Sequence, residues 1–214
     1  MRAPRGAFIV FEGGDGVGKT TQVDRLCAWL EEIGQQHVRT FEPGDTPAGA
    51  TIRRLVLDPA TGDLAPRAEA LLYAADKAHH LHTVVEPALD GGAVVVCDRY
   101  VDSLLAYQGA GRVLDIDEVE QIARWATGDL RPHLTVLLDV EPGRAVGEKA
   151  DKDRLEDAGD DFHQRARDSF LQLAGRDPEH YLVLDARDRR DAIAEQIRRR
   201  VRPLLSAASG RLDA

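Results

Sequence analysis

The stretch Phe8-Ile-Val-Phe-Glu-Gly-Gly-Asp-Gly-Val-Gly-Lys-Thr-Thr21 constrains the fold more than any other part of the chain. A short apolar run of strand type passes through glycines 13, 14, 16 and 18 and ends where a helical pattern begins. Gly13, four residues, Gly18, Lys19 and Thr20 have the spacing of a phosphate-binding loop. Glycines let the backbone curl so that successive N–H groups face the phosphate oxygens of a nucleoside triphosphate, with no Cβ in the way. Gly13, Gly14, Asp15, Gly16, Val17 and Gly18 form that cradle, and Lys19, Thr20 and Thr21 open a helix whose positive end faces the same anion. Lys19 is expected to span the β- and γ-phosphates, and the Thr20 hydroxyl to ligate a bridging Mg²⁺. A plain glycine-rich turn is the weaker reading, because the full motif sits between a strand and a helix, the context it requires.

Downstream, the chain alternates strands with helices. Val23, Leu26, Cys27, Leu30 and Ile33 recur at helical spacing until Gly34. A strand at His37 to Phe41 runs into turn chemistry through Gly49, and Ile52 to Leu57 reads as helical. Pro66 suits the first turn of a long helix through Val85, closed by Gly91-Gly92. Ala93 to Cys97, Leu134 to Leu138 and Tyr181 to Leu184 are unbroken apolar runs, which fit strands covered on both faces. Five strands separated by helices predict a single doubly wound α/β domain with ligands at the carboxyl ends of a parallel sheet. The tail from Ser206 reads as a frayed end.

An Asp after a buried strand is the usual companion of a phosphate loop, and Asp98, Asp139 and Asp185 all qualify. Such residues also cap helices, so position alone does not choose among them. Arg99 favours Asp98: a permanently charged fork beside it offers bidentate contact to a second phosphate, the acceptor side of a transfer reaction.

The net charge of -9 argues against a nucleic-acid polymer as partner, since such surfaces are usually basic. Cys27 and Cys97 read as small buried hydrophobes, which fits a reduced cytoplasmic protein. No apolar run has the length of a membrane span, and the first residues lead directly into a strand.

Glu12 to Gln22, Glu42-Pro-Gly44, Asp98-Arg-Tyr100, Ala106-Tyr-Gln-Gly-Ala-Gly-Arg112, Arg131-Pro-His-Leu-Thr135 and Asp153-Arg-Leu-Glu156 together resemble the bacterial thymidylate kinase family, in that family's order. The resemblance implies a P-loop NTPase fold with a mobile lid, and transfer of the γ-phosphoryl of ATP to dTMP with Mg²⁺. It places Arg99 on the acceptor phosphate, Asp98 in the magnesium and phosphate network, and Asp15 on the deoxyribose 3′-hydroxyl. Tyr107 would crowd the 2′ side of the sugar, Gln108 would lie near the base, and Tyr73 would stand where a Phe usually stacks on thymine. Arg53 matches an arginine near the acceptor phosphate. It also implies a homodimer built on packed helices, for which Leu71, Leu72 and Ala75 offer a stripe that fits a core face equally well.

A glycine in the middle of the loop, as Gly16 is, goes in bacterial members with a transition-state cation supplied by the lid. Here the lid would span about 147–156, with Arg154 as the candidate and Lys149 and Lys152 as helpers. Besides Tyr73, three positions depart from the family pattern: Asp45 in Gly44-Asp-Thr46, Lys77 where an arginine is usual, and Leu104 where a polar residue reaches the base. These departures leave open a kinase for dUMP or a modified pyrimidine monophosphate. A non-catalytic nucleotide-binding protein is a third reading, against which the intact Lys19 and Arg99 stand.

Overall fold

The structure is a computed structural model that describes residues 5–141 and 153–209, without the side chains of 206–209. Strands β1 (Phe8–Gly13), β2 (His37–Phe41), β3 (Val94–Asp98), β4 (Leu134–Asp139) and β5 (Tyr181–Asp185) form one parallel sheet in the order β2-β3-β1-β4-β5. Helices α1 (Lys19–Glu32) and α8 (Arg190–Ser209) pack on the face reached by Ile9 and Phe11. Phe8 and Val10 point the opposite way, as the two-residue period of a strand requires. That second face meets the π-helical segment Leu81–Val85 and α4 (Glu86–Asp90), into which α3 (Pro66–His80) continues. Pro87 cannot donate to the Thr83 carbonyl, and the wider π turn before it absorbs the misfit. A further layer holds α2 (Pro47–Leu57), a short α5 (Val101–Ser103) continuing as the π-helical segment Leu104–Gly111, α6 (Ile116–Thr127) and α7 (Asp160–Arg176).

The doubly wound five-stranded sheet expected from the sequence is therefore present, with three differences. Helix α2 starts at Pro47 rather than near Ile52, because Thr46 caps it, its Oγ1 accepting from Gly49 N at 2.9 Å. Strand β5 is a sheet edge, so its apolar run is not covered on both faces and Val183 stays 46% exposed. Helix α8 continues to Ser209, past the point where the sequence suggests fraying.

The chain leaves β1 toward β2 on one side and leaves β3 toward β4 on the other. The topological switch point thus falls between β1 and β3, with a ligand crevice at their carboxyl ends. Phe11 pairs with Asp98, so the phosphate loop and the Asp98-Arg99 pair emerge side by side at that crevice.

Candidate active site

The loop after β1 has the backbone that its glycines allow. Gly13 (φ 132°), Gly16 (φ 71°) and Gly18 (φ 93°) take left-handed conformations, and a Cβ on Gly13 would lie 2.3 Å from the Leu138 carbonyl oxygen. Gly18 immediately precedes α1, whose first turn carries Lys19, Thr20 and Thr21. Val17 anchors the loop by packing its side chain into the core. Lys19 is buried, and its Nζ donates to the carbonyls of Gly13 at 3.1 Å and Gly14 at 2.5 Å. Burial, reinforced by the neighbouring Arg99, brings its ammonium down to about 8, although Asp15 and Asp98 pull the other way.

The structure separates the three strand-end aspartates. Thr20 Oγ1 donates to Asp98 Oδ2 at 3.1 Å, whereas Asp139 is held by the fork of Arg167 and Asp185 by that of Arg187. Thr20 and Asp98 are adjacent oxygen donors of the kind a hard divalent ion prefers. Among the described residues no group of three or more His, Cys, Asp or Glu could hold a metal, so an ion here would draw its other ligands from phosphate and water.

Arg99 stands just beyond β3 with φ 69°, a left-handed backbone that a non-glycine residue adopts only under constraint. That turn aims its guanidinium back over the loop, where Nη2 donates to Asp15 Oδ1 at 2.5 Å and Nη1 to Gly13 O and Ser103 Oγ. Burial would lift the Asp15 carboxyl, but Arg99 and Lys19 outweigh it and hold it down to about 2. Ser103 Oγ in turn donates to the fully buried Glu12, which also accepts from the Tyr100 and Ser103 amides. Burial raises the Glu12 carboxyl despite those bonds.

Beside Arg99 lies an open cleft whose empty space, counting its mouth, is about 610 Å³. Asp15, Arg53, Tyr73, Lys77, Arg99, Leu104, Tyr107 and Gln108 all line it, so every residue expected on the acceptor side is brought together. Arg53 reaches it from α2, with Nη1 donating to the Pro43 carbonyl. Tyr73 and Leu104 are buried in its wall, and the Tyr73 hydroxyl has no hydrogen-bond partner among the described residues.

Two expected positions carry different chemistry from that anticipated. Lys77 is engaged with Glu42, Nζ to Oε2 at 2.6 Å with both side chains buried, and Glu42 Oε1 is bound by His80 Nδ1 at 2.7 Å. Its ammonium serves this carboxylate first, because an unpaired buried Glu42 would be costly. Arg154 is not at the phosphate loop: Nη1 donates to Val56 O at 2.8 Å and to the buried Glu69 Oε2 at 3.2 Å. Lys149, Lys152 and most of the expected lid lie outside the described residues. The lid's last residues, Asp153, Leu155 and Glu156, line the acceptor cleft.

Reading the residues in order missed Glu12, Glu42, Glu69, His80 and Ser103 as parts of the site. One signal was available, since Glu69, Tyr73 and Lys77 recur every four residues and so share one face of α3.

A phosphate loop at the end of β1 facing an arginine and an adjoining cleft across a parallel-sheet switch point defines a P-loop phosphotransferase site. The model of the Thymidylate kinase family matches residues 11–197. A thymidylate kinase from Cutibacterium acnes is 59% identical over 94% of this chain and 98% of its own. One from Clavibacter michiganensis is 53% identical over 95% and 98%. The crystal structure of thymidylate kinase from Ehrlichia chaffeensis superposes with a TM-score of 0.77 at 28% identity, covering 92% of this chain and 98% of that one. The chain belongs to the thymidylate kinase family.

Proposed function

We propose that this chain transfers the γ-phosphoryl group of ATP to the 5′-phosphate of dTMP, giving dTDP and ADP. The observation that carries the reading is the meeting of the phosphate loop and Arg99 across one crevice, next to the cleft that Tyr73, Leu104 and Tyr107 line. An oxygen of the acceptor phosphate attacks the γ-phosphorus as the bond to the β-γ bridging oxygen breaks. The loop amides and Lys19 hold the donor and meet the charge that collects on the leaving oxygens. Lys19 has to exchange the Gly13 and Gly14 carbonyls for phosphate oxygens, and Arg99 has a second fork edge for the acceptor phosphate while Asp15 orients it. Thr20 and Asp98 would hold a Mg²⁺, which supplies charge neutralisation between the phosphates.

The protein acts in the cytoplasm, as its two free buried cysteines suit a reducing compartment. Among the described residues no helix is long and apolar enough to cross a membrane. It works as a homodimer: Leu71 and Ala75 face outward from α3 while Leu72 packs against the core, and Leu55 on α2 and Trp125 on α6, the helices that flank α3, are exposed as well. The test of the activity is coupled ADP release across dTMP, dUMP, dCMP and dGMP with ATP and Mg²⁺. Turnover is expected to be highest with dTMP, and ADP release with none of the four would overturn the proposal.

A further inference from the structure

The buried carboxylate of Glu69 lies behind the acceptor cleft, whose lining does not include it. Its side chain is fully buried, and two oxygens accept four hydrogen bonds from three side chains. Arg112 donates Nε to Oε1 at 3.0 Å and Nη2 to Oε2 at 3.1 Å, Arg154 donates to Oε2 at 3.2 Å, and Gln108 Nε2 donates to Oε1 at 3.2 Å. Four acceptor sites are about all a carboxylate has, so the group is saturated.

The consequence falls on Gln108. An amide presents a donor at one end and an acceptor at the other, and it can rotate to suit a ligand unless something fixes it. A carboxylate flanked by two guanidiniums can only accept, so the Gln108 nitrogen must face Glu69. The carbonyl oxygen is then the end left for the cleft that Gln108 lines. We infer that Glu69 is a positioning residue for base selectivity, locking the Gln108 amide so that the site offers an acceptor to the ring edge of the nucleotide. This rests on the proposed monophosphate kinase activity and adds to it the part of the site that chooses among pyrimidines.

A 4-oxo pyrimidine such as thymine or uracil carries an N3–H donor that pairs with that oxygen. A 4-amino pyrimidine such as cytosine has a lone pair at N3, and the two acceptors would face each other unpaired. A free amide would flip to suit either ring; a locked one cannot. Two neighbouring positions offer no competing readout: Leu104 is apolar and the Lys77 ammonium is drawn to Glu42.

The experiment compares kcat/KM for dTMP and dCMP in the wild type, Glu69→Gln, Gln108→Leu and the double variant, with ADP affinity and thermal melting as checks on folding. Glu69→Gln is expected to shrink the dTMP over dCMP ratio by about tenfold or more, because its amide no longer dictates the orientation of Gln108. In the Gln108→Leu background the same change should leave the ratio where it is. A Glu69→Gln protein that loses both acceptors equally, or keeps the ratio, would overturn the inference and leave Glu69 a structural residue. A Gln108→Leu protein with wild-type selectivity would overturn it independently. Should Glu69→Gln fail to fold, Glu69→Gln with Arg154→Met removes a buried guanidinium along with the charge that offset it, and the same ratio is read. A wild type that releases no ADP with dTMP would instead defeat the activity itself.

Discussion

Lys19 answers two opposing demands, since burial among carbonyls disfavours its charge while a polyphosphate requires it. In the free protein its group stands at about 8 against an ordinary 10.5. The folded state therefore loses this proton first as the pH rises through 8, the unfolded chain holds more protons up to 10.5, and the linked contribution to stability rises across that window. Bound phosphate should restore the charge. ADP binding at about pH 8.5 is thus expected to take up a proton in the wild type and none in Lys19→Arg, whose guanidinium is always charged. Calorimetry in buffers of unlike ionisation enthalpy measures this, and identical proton counts for the two proteins would contradict it. Arg99→Ala should weaken dTMP binding at least about tenfold while moving ADP affinity by less, because a charge-assisted hydrogen bond to the acceptor is lost and the loop amides remain. Equal losses for the two ligands would show that Arg99 mainly holds the loop, through Gly13 and Asp15.

At the scale of elements, the segment Leu104–Gly111 and the stretch Asp153–Glu156 both contribute to the lining of the cleft. Leu104 cannot pair with any polar group of a pyrimidine, and one such group left unpaired costs about 1–3 kcal/mol. It is also 1% exposed and part of a core cluster, so the Leu104→Ser change removes packing as well. That variant is expected to lower KM for dTMP while losing about 2–4 kcal/mol of stability, read by steady-state kinetics and denaturant melts. A raised KM would mean that the leucine is fitted to its ligand. Arg154 is bound to Glu69, and the transition-state role expected of it would require it to leave that carboxylate. Arg154→Ala should slow phosphoryl transfer in single-turnover experiments and raise KM for dTMP. A normal single-turnover rate with only the higher KM would assign Arg154 to anchoring alone.

For the whole molecule, Leu71 at 55% and Trp125 at 86% exposure are apolar surface that a monomer leaves in water. Light scattering is expected to show a dimer at micromolar concentration, and Leu71→Glu should shift it toward monomer; a wild-type monomer under assay conditions would remove the dimer. Sequence alone determined the features whose signals are local. Apolar runs mark the strands, Gly13 to Thr20 fix a loop that only glycines can form, and alternation with helices makes the sheet parallel and the crevice a binding site. Tertiary structure decided what depends on contacts between distant residues. Thr20 meets Asp98 rather than Asp139 or Asp185, Lys77 turns to a glutamate 35 residues away, and Glu69 collects Gln108 from 39 residues and Arg154 from 85. Periodicity can show that Glu69 and Lys77 share a helix face, but not which partner each of them meets. Which carboxylate a buried cation satisfies is set by the cost of leaving either unpaired once the fold has brought them together.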